Sequence, residues 1–178
     1  RVRSENNYLI KNTARNNKIG IRVQADNNHL IYNLAELNDK GIRVDEEYNT
    51  VFGNECNDND KENFQIRGAY NQSVSNYANG GDEECILIEG EYNSLSKNSA
   101  RNCEDGFVLS NGEGAGNNNR ISNCKVIGNR TNGIVALKGA IDNRIVRNKA
   151  FFNYDSDLVD LNNENCEENT WKRNKFRT

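Results

Sequence analysis

The side chains with the clearest capacity for chemistry are arginines and carboxylates that recur at steps of about one repeat. Arg22 and Arg43 are 21 residues apart, and Asp45, Arg67 and Glu89 follow one another at steps of 22. Because arginine binds carboxylate groups through two parallel hydrogen bonds, these five residues are candidates for binding an acidic saccharide. The alternative is a charge ladder, in which paired side chains on neighbouring strands contribute about 0.2–1 kcal/mol each.

Aspartates near the C terminus are candidates for acid–base chemistry. Asp157 and Asp160 could act as the pair of carboxyl groups that cleaves a glycosidic bond, with Arg43 and Arg67 as basic residues of the same catalytic site. Asp155 and Asp157 are also the best calcium candidates, because calcium requires several converging oxygen atoms. The alternative is that these acidic residues lie in solvated turns.

The chain has few ligands for soft metals, with five cysteines, one histidine and no methionine. No CxxC motif or Cys/His cluster occurs, so we do not expect a zinc site. Cys56, Cys85, Cys103 and Cys124 occupy different positions of the repeat, and we expect them to be buried free thiols. Cys166 lies in a final loop, and the odd number of cysteines makes it a candidate for a partner outside the chain.

One repeated phrase must position all of these side chains. It reads Asn, any residue, an apolar residue, two further residues and usually Asn again. It starts at Asn7, Asn28, Asn49, Asn71, Asn93, Asn119, Asn143 and Asn169. A phrase that returns every 21–26 residues is the signature of a solenoid. The apolar segments are short and alternate with period two, as strands do, and none has the period of a helix.

The repeat predicts an all-β fold, namely a single-stranded right-handed parallel β-helix of about seven to eight coils of 21–26 residues. Coils of this kind stack about 4.8 Å apart, so equivalent side chains form columns. Asparagine suits the corners because it tolerates left-handed backbone angles and its amide can link one coil to the next.

We expect one β-helix domain over residues 1–178, with both ends cut within a coil. Open ends of this kind predict contact with missing coils or end-to-end self-association.

The charge pattern limits the classes of partner. The net charge is −3, and acidic and basic residues are mixed along the whole chain without a basic stripe, so we do not expect nucleic acid as a partner. No run of 18 apolar residues occurs, so we expect no membrane span.

The Asn-x-apolar-x-x-Asn phrase, followed by Gly-Ile-x-Val, resembles the repeats of the NosD-like, carbohydrate-binding and sugar-hydrolase group of right-handed parallel β-helix proteins, which share the pectate-lyase-like fold. The resemblance runs from Asn7 to Asn174, and the stretch from Asp157 to Phe176 resembles the final coils of secreted bacterial members. It implies a secreted or cell-envelope protein of bacterial type that binds or processes polysaccharide.

Several motifs of these relatives are missing from the chain. There is no proline, which removes the Arg-x-Pro-x-x-Arg motif of pectate lyases and the Asp-Pro-His motif of alginate epimerases. The Gly-His-Gly motif of polygalacturonases is also absent, and copper handling would need histidine or methionine ligands. No catalytic residue of these relatives can therefore be transferred to a position in this chain.

Three functions remain as hypotheses. The first is an extracellular module that binds carbohydrate or acts as a surface scaffold, without catalysis in this segment. We expect no cofactor for it, with calcium as the one candidate. The second is the core of a polysaccharide lyase or hydrolase. The third is a self-associating component of a structural fibre.

Overall fold

A computed structural model describes residues 1–110, 116–162 and 168–176 of the chain. The described residues form a rod of stacked coils in which nearly every coil contributes one short strand to each of three parallel sheets. This confirms the predicted all-β parallel β-helix of seven to eight coils. Within the described ranges, no helix has the length and apolar content needed to cross a membrane.

The strands are three to five residues long and are grouped here by sheet. The first sheet contains β1 (Tyr8–Ile10), β4 (His29–Ile31), β7 (Thr50–Phe52), β10 (Gln72–Val74), β13 (Ser94–Ser96), β16 (Arg120–Ser122), β19 (Arg144–Val146) and β22 (Thr170–Lys172). The second contains β2 (Thr13–Arg15), β5 (Leu34–Glu36), β8 (Glu55–Asn57), β11 (Tyr77–Asn79), β14 (Ser99–Arg101), β17 (Lys125–Ile127) and β20 (Lys149–Phe151). The third contains β3 (Ile19–Val23), β6 (Lys40–Val44), β9 (Phe64–Ile66), β12 (Ile86–Ile88), β15 (Phe107–Leu109), β18 (Asn132–Ala136) and β21 (Ser156–Asp160).

The core is a continuous apolar column inside the rod. In the first sheet Leu30 lies in register with Val51, and in the second Ala35 lies in register with Cys56. The side chains of these residues are buried, as are those of most equivalent residues along the rod. Residues alternate between the two faces of a strand, so the strand residues next to these buried ones point outward. The outward residues of successive coils form columns on the surface of the rod.

Asparagine ladders join the coils at the corners. The side-chain Oδ1 of Asn33 accepts from the backbone N–H of Asn12 at 2.9 Å, and Oδ1 of Asn54 accepts from that of Asn33 at 2.8 Å. The Nδ2 group of Asn54 donates to the carbonyl of Leu30 at 2.9 Å and to Oδ1 of Asn76 at 3.0 Å. The amide therefore links coils on both sides, as the sequence predicted.

The left-handed backbone angles fall on the residues before the ladder asparagines, which corrects the expectation that one asparagine would serve both purposes. Tyr48, Tyr70 and Tyr92, each followed by a ladder asparagine, have φ between 54° and 56°. Asparagine occupies this position at other corners, as at Asn27 with φ 57°. The corner thus uses two successive residues, one to turn the chain and one to bond it to neighbouring coils.

The outer face of the third sheet changes character along the rod. One outward column reads Arg22, Arg43 and Gln65 in the early coils. In later coils the same column becomes Leu87, Val108 and Val135, which form a second, smaller apolar cluster. Arg22 and Arg43 of this column line the first candidate site.

Candidate functional site

The third sheet carries a polar groove where the early strands end. Asp45, Arg67 and Glu89 directly follow β6, β9 and β12, and their backbone N–H groups donate to residues of the preceding coil at 2.8–3.0 Å. The three side chains therefore form one column, as their spacing predicted. Beside them, Arg22 and Arg43 are directly paired in the strand register.

Two arginines share one carboxylate in this groove. Nε of Arg22 lies 2.5 Å from Oδ2 of Asp45, and Nε of Arg43 lies 2.5 Å from Oδ1 of the same residue. The two arginines would repel each other on adjacent coils, but the carboxylate of Asp45 pairs with both and offsets this repulsion. The side chain of Asp45 is only 10% exposed, so the cluster is held in a fixed arrangement.

A second ion pair extends the groove. Nε of Arg67 lies 3.4 Å from Oε2 of Glu89, which also accepts a hydrogen bond from Nε2 of Gln65 at 2.7 Å. The resulting groove has a volume of about 340 Å³. It is lined by Arg22, Gln24, Arg43, Asp45, Glu46, Arg67 and Glu89. All five predicted ligand-binding residues line it together, and Gln24 and Glu46 complete the lining.

The electrostatics of the groove keep Asp45 ionised. Burial alone would raise the pKa of Asp45, but hydrogen bonds from Arg43 and Arg22 outweigh burial and lower it. Three arginines face three acidic residues, so the groove offers fixed donors and acceptors with little net charge. Such a surface can bind hydroxyl and carboxylate groups, whereas Asp45 is poorly suited to donate a proton.

The predicted catalytic residues lie in two separate places. Arg43 and Arg67 line the groove, whereas Asp157 and Asp160 lie on β21, the last strand of the third sheet. Asp157 is 7% exposed, and its Oδ1 accepts from Nδ2 of Asn153 at 2.7 Å. The structure therefore does not bring the two aspartates into the groove.

Asp160 is engaged in holding the last described coils together. It stands in register with Ala136, at the end of a column whose other members are core residues. Its Oδ2 accepts from Nε1 of Trp171 at 2.9 Å and from Nδ2 of Asn169 at 3.0 Å, and Oδ1 accepts from Nδ2 of Asn162 at 2.8 Å. Burial opposes ionisation, but these hydrogen bonds lower the pKa of Asp160.

An acidic cluster forms away from Asp155 and Asp157, the preferred calcium candidates of the sequence. Single carboxylate oxygens of Glu62, Glu83 and Glu84 lie within 4.8 Å of one another. Glu62 is buried, and its Oε1 accepts from Nζ of Lys40 at 2.8 Å, whereas its Oε2 has no hydrogen-bond partner among the described residues. Burial raises the pKa of Glu84, and the nearby charges of Glu62 and Glu83 raise it further. Asp155 and Asp157, the predicted calcium ligands, belong to no such cluster within the described residues.

The cysteines correct one expectation. Cys85 and Cys103 form a disulfide with a Cα–Cα distance of 5.5 Å, although we predicted free thiols. Cys85 precedes β12 and Cys103 follows β14, so the bond crosses a corner between adjacent coils instead of running along one column. Cys56 and Cys124 are buried free thiols, as predicted. Cys166 lies outside the described residues.

A basic cleft also appears, although the sequence showed no basic stripe. It lies on the first sheet of the late coils and has a volume of about 190 Å³, and none of its lining residues among those described is acidic. Its lining residues are Arg120, Arg144, Val146, Arg147, Lys172 and Arg173. These residues come from phrases that begin 24–26 residues apart, and the acidic residues between the phrases hid the cluster in the linear sequence.

The chain matches one protein family over almost its whole length. The profile of the family described as "Periplasmic copper-binding protein (NosD)" matches residues 2–178. No curated protein matches the chain.

Two solved structures share the fold. The crystal structure of pectate lyase Pel9A has a TM-score of 0.69 at 16% identity, over 82% of this chain and 45% of that chain. The crystal structure of the periplasmic alginate epimerase AlgG has a TM-score of 0.71 at 15% identity, over 96% of this chain and 47% of that chain. The present chain thus spans less than half the length of either protein, and at these identities the similarity establishes the fold.

Proposed function

The chain belongs to the family described as periplasmic copper-binding protein (NosD), and from this membership and its polar groove we propose that it is a polysaccharide-binding module of the bacterial envelope. The module binds sugar without catalysis in this segment. The observation that carries the proposal is the groove of Arg22, Arg43, Asp45, Arg67 and Glu89, whose side chains are already fixed by ion pairs. A site with fixed side chains loses little conformational entropy when a ligand binds.

The proposed location in the bacterial envelope agrees with the disulfide bond of the chain. The disulfide between Cys85 and Cys103 is typical of proteins that fold in an oxidising compartment such as the periplasm. The family description also names the periplasm, and we propose that the protein works there or at the cell surface.

The groove supports binding more than catalysis. Glycoside hydrolysis commonly uses one carboxyl group that stays protonated and a second that acts as base or nucleophile. Asp45 is held ionised by two arginines, and Asp160 is engaged by Trp171 and two asparagines. These engaged carboxylates therefore favour binding. A polysaccharide lyase or hydrolase is the alternative function, and an assay for turnover distinguishes it from a binding module.

The donors among the described residues, which do not include Cys166, do not fit the copper of the family description. Copper sites use imidazole, thiolate or thioether ligands. The chain has no methionine, and the ring of its single histidine stacks on Tyr8 at a centroid distance of 4.5 Å. Burial raises the pKa of Cys56 and raises that of Cys124 to about 12, which disfavours the thiolate form that copper would bind, and Cys85 and Cys103 are joined in a disulfide. The proposed function accordingly includes no step through copper.

The test combines binding and turnover on a panel of neutral and acidic polysaccharides. We expect saturable binding by calorimetry, without release of reducing ends or unsaturated products. Arg67→Ala should weaken binding about tenfold, because it removes a charge-assisted hydrogen bond to the ligand and leaves Gln65 as the donor to Glu89. Arg15→Ala is the matched control, because Arg15 also pairs with a glutamate, Glu36, but lies on the second sheet. Turnover, or equal binding by the two variants, would contradict the proposal.

For calcium, we propose the cluster of Glu62, Glu83 and Glu84, because it offers converging carboxylates and a buried oxygen that has no hydrogen-bond partner among the described residues. Asp155 and Asp157 stay the alternative site. Millimolar calcium should raise the Tm, Glu84→Gln should abolish that rise, and Glu5→Gln, at an exposed glutamate of the first coil, should preserve it. An unchanged Tm in the wild type, or a rise that survives Glu84→Gln, rejects this site.

A further inference from the structure

The late coils carry an unusual concentration of positive charge. Eight lysines and arginines, and no aspartate or glutamate, occur in residues 119–128, 143–152 and 169–176. These segments are the equivalent parts of three successive coils, and they contain Arg120, Lys125, Arg144, Arg147, Lys149, Lys172, Arg173 and Lys175. The protein as a whole carries a net charge of −3, so this is a local segregation of charge.

Coil stacking places these like charges next to one another. Arg120 is paired directly with Arg144 in the first sheet, and Lys125 is paired directly with Lys149 in the second. At the corner between the two sheets, Arg147 and Arg173 both have φ 57° and occupy equivalent positions. Like charges directly opposite each other on neighbouring strands destabilise a sheet.

The groove on the third sheet shows how this rod otherwise treats stacked arginines. Arg22 and Arg43 also lie on adjacent coils, but Asp45 pairs with both. In contrast, no acidic residue lines the basic cleft, and among the described residues Arg120 and Arg144 have no ion-pair partner. The positive charge of this column is therefore available to an anion from outside the protein.

We propose that the basic cleft is a second binding site, specific for an acidic polysaccharide whose negative charges repeat along the rod axis. Successive coils present cationic side chains about 4.8 Å apart, which suits a linear ligand with a carboxylate or sulfate on each unit. Proteins that bind single-stranded nucleic acid usually add aromatic side chains to stack the bases. Within the described part of the chain, Val146 is the only uncharged residue that lines this cleft, so the geometry favours a polysaccharide.

The site is independent of the groove on the third sheet. The groove has nearly balanced charges, whereas the cleft has only positive ones, and the two lie on different sheets. Variants in one should therefore leave the other unchanged, so the failure of one proposal does not decide the other.

The experiment compares polygalacturonate with its fully methyl-esterified form, which keeps the backbone and removes the charge. We expect the acidic form to bind and its affinity to fall steeply with salt, while the ester shows no binding at the cleft. Arg144→Gln combined with Arg147→Gln should lower affinity at least about tenfold. Lys11→Gln is the matched control, because Lys11 has φ 57° at the corresponding corner of the first coil.

A second readout separates a binding site from an inert surface. Arg144→Gln should raise the Tm of the free protein by about 1–3 °C, because it removes a like-charge pair, while it weakens binding. Equal binding of the acidic and esterified polymers would overturn the proposal. So would tighter binding to a single-stranded oligonucleotide or to vesicles of anionic lipid, or affinity that the double variant leaves unchanged.

Discussion

At the residue scale, the central feature is that a carboxylate or an amide serves two neighbouring coils at once. Asp45 joins Arg22 to Arg43, and each ladder asparagine bonds the backbone of the preceding coil. Removing such a residue leaves partners unsatisfied on more than one coil. Single substitutions at these positions should therefore lower the free energy of unfolding by more than the exposed fraction of the side chain suggests.

Asp45 should give the protein a defined response to acid. Its pKa in the folded protein is lowered, so its stabilisation is fully present above the ordinary aspartate pKa of about 3.9 and is lost as the pH falls through the lower folded value. At neutral pH, Asp45→Asn should reduce the free energy of unfolding by about 1–2 kcal/mol. In urea titrations the difference between wild type and variant should shrink below about pH 4. Asp39→Asn, at an exposed aspartate, should show no such pH dependence.

A substitution at Asn54 tests how much the asparagine ladder stabilises the rod. Asn54→Ala removes the acceptor for the backbone N–H of Asn33 and the donor to the carbonyl of Leu30, both in the buried interior. Each unsatisfied group costs about 1–3 kcal/mol, so we expect a loss of about 3 kcal/mol in the free energy of unfolding. Lys61→Ala, at an exposed residue of the same part of the rod, should change stability by less than about 0.5 kcal/mol. A loss below about 1 kcal/mol at Asn54 would mean that water replaces the ladder.

At the element scale, the unit of the protein is the coil, and each coil contacts mainly the coils before and after it. Parallel strand pairing supplies most of the links, and the disulfide between Cys85 and Cys103 adds one covalent link between adjacent coils. Stability in such an array is close to a sum over coils and their interfaces. A change at one interface is therefore expected to act locally.

Loss of the disulfide should destabilise the middle of the rod. It closes a loop between residues 18 apart in sequence, and closing a loop of this length stabilises by about 3 kcal/mol. We expect Cys85→Ala with Cys103→Ala to lower the free energy of unfolding by about that amount. Reductant should have a similar effect on wild type and on Cys56→Ala, but none on the double variant. If reductant destabilises the double variant equally, another bond or a nonspecific effect is responsible.

At the scale of the whole molecule, burial and charge both change along the rod. Leu9 and Trp171, in the first and last strands of the first sheet, are only partly buried, whereas Leu95 in the middle is fully buried. Positive charge concentrates in the late coils, and the neutral groove occupies the early ones. The two proposed binding sites are therefore displaced along the axis and lie on different sheets.

This gradient predicts the pattern of hydrogen exchange. Amide protection should be highest in the coils around β12 to β15 and should decrease towards β1 and β22, because outer coils open with less loss of buried surface. Hydrogen exchange with mass spectrometry measures this directly. Uniform protection along the rod would instead indicate that the chain opens only as a whole, or that its ends associate, which sedimentation velocity would detect as concentration-dependent oligomers.

The sequence alone determined the architecture, because the 21–26-residue phrase imposes coils, and coils impose columns. It also located the groove, since residues one coil apart in sequence must stack in space. Only the tertiary structure decided what happens across corners and between phrases. It joined Cys85 to Cys103, gathered Glu62 with Glu83 and Glu84, and brought the late arginines into one cleft. The physical reason is that a period fixes distance along the axis, whereas contacts around each coil depend on how its corners turn.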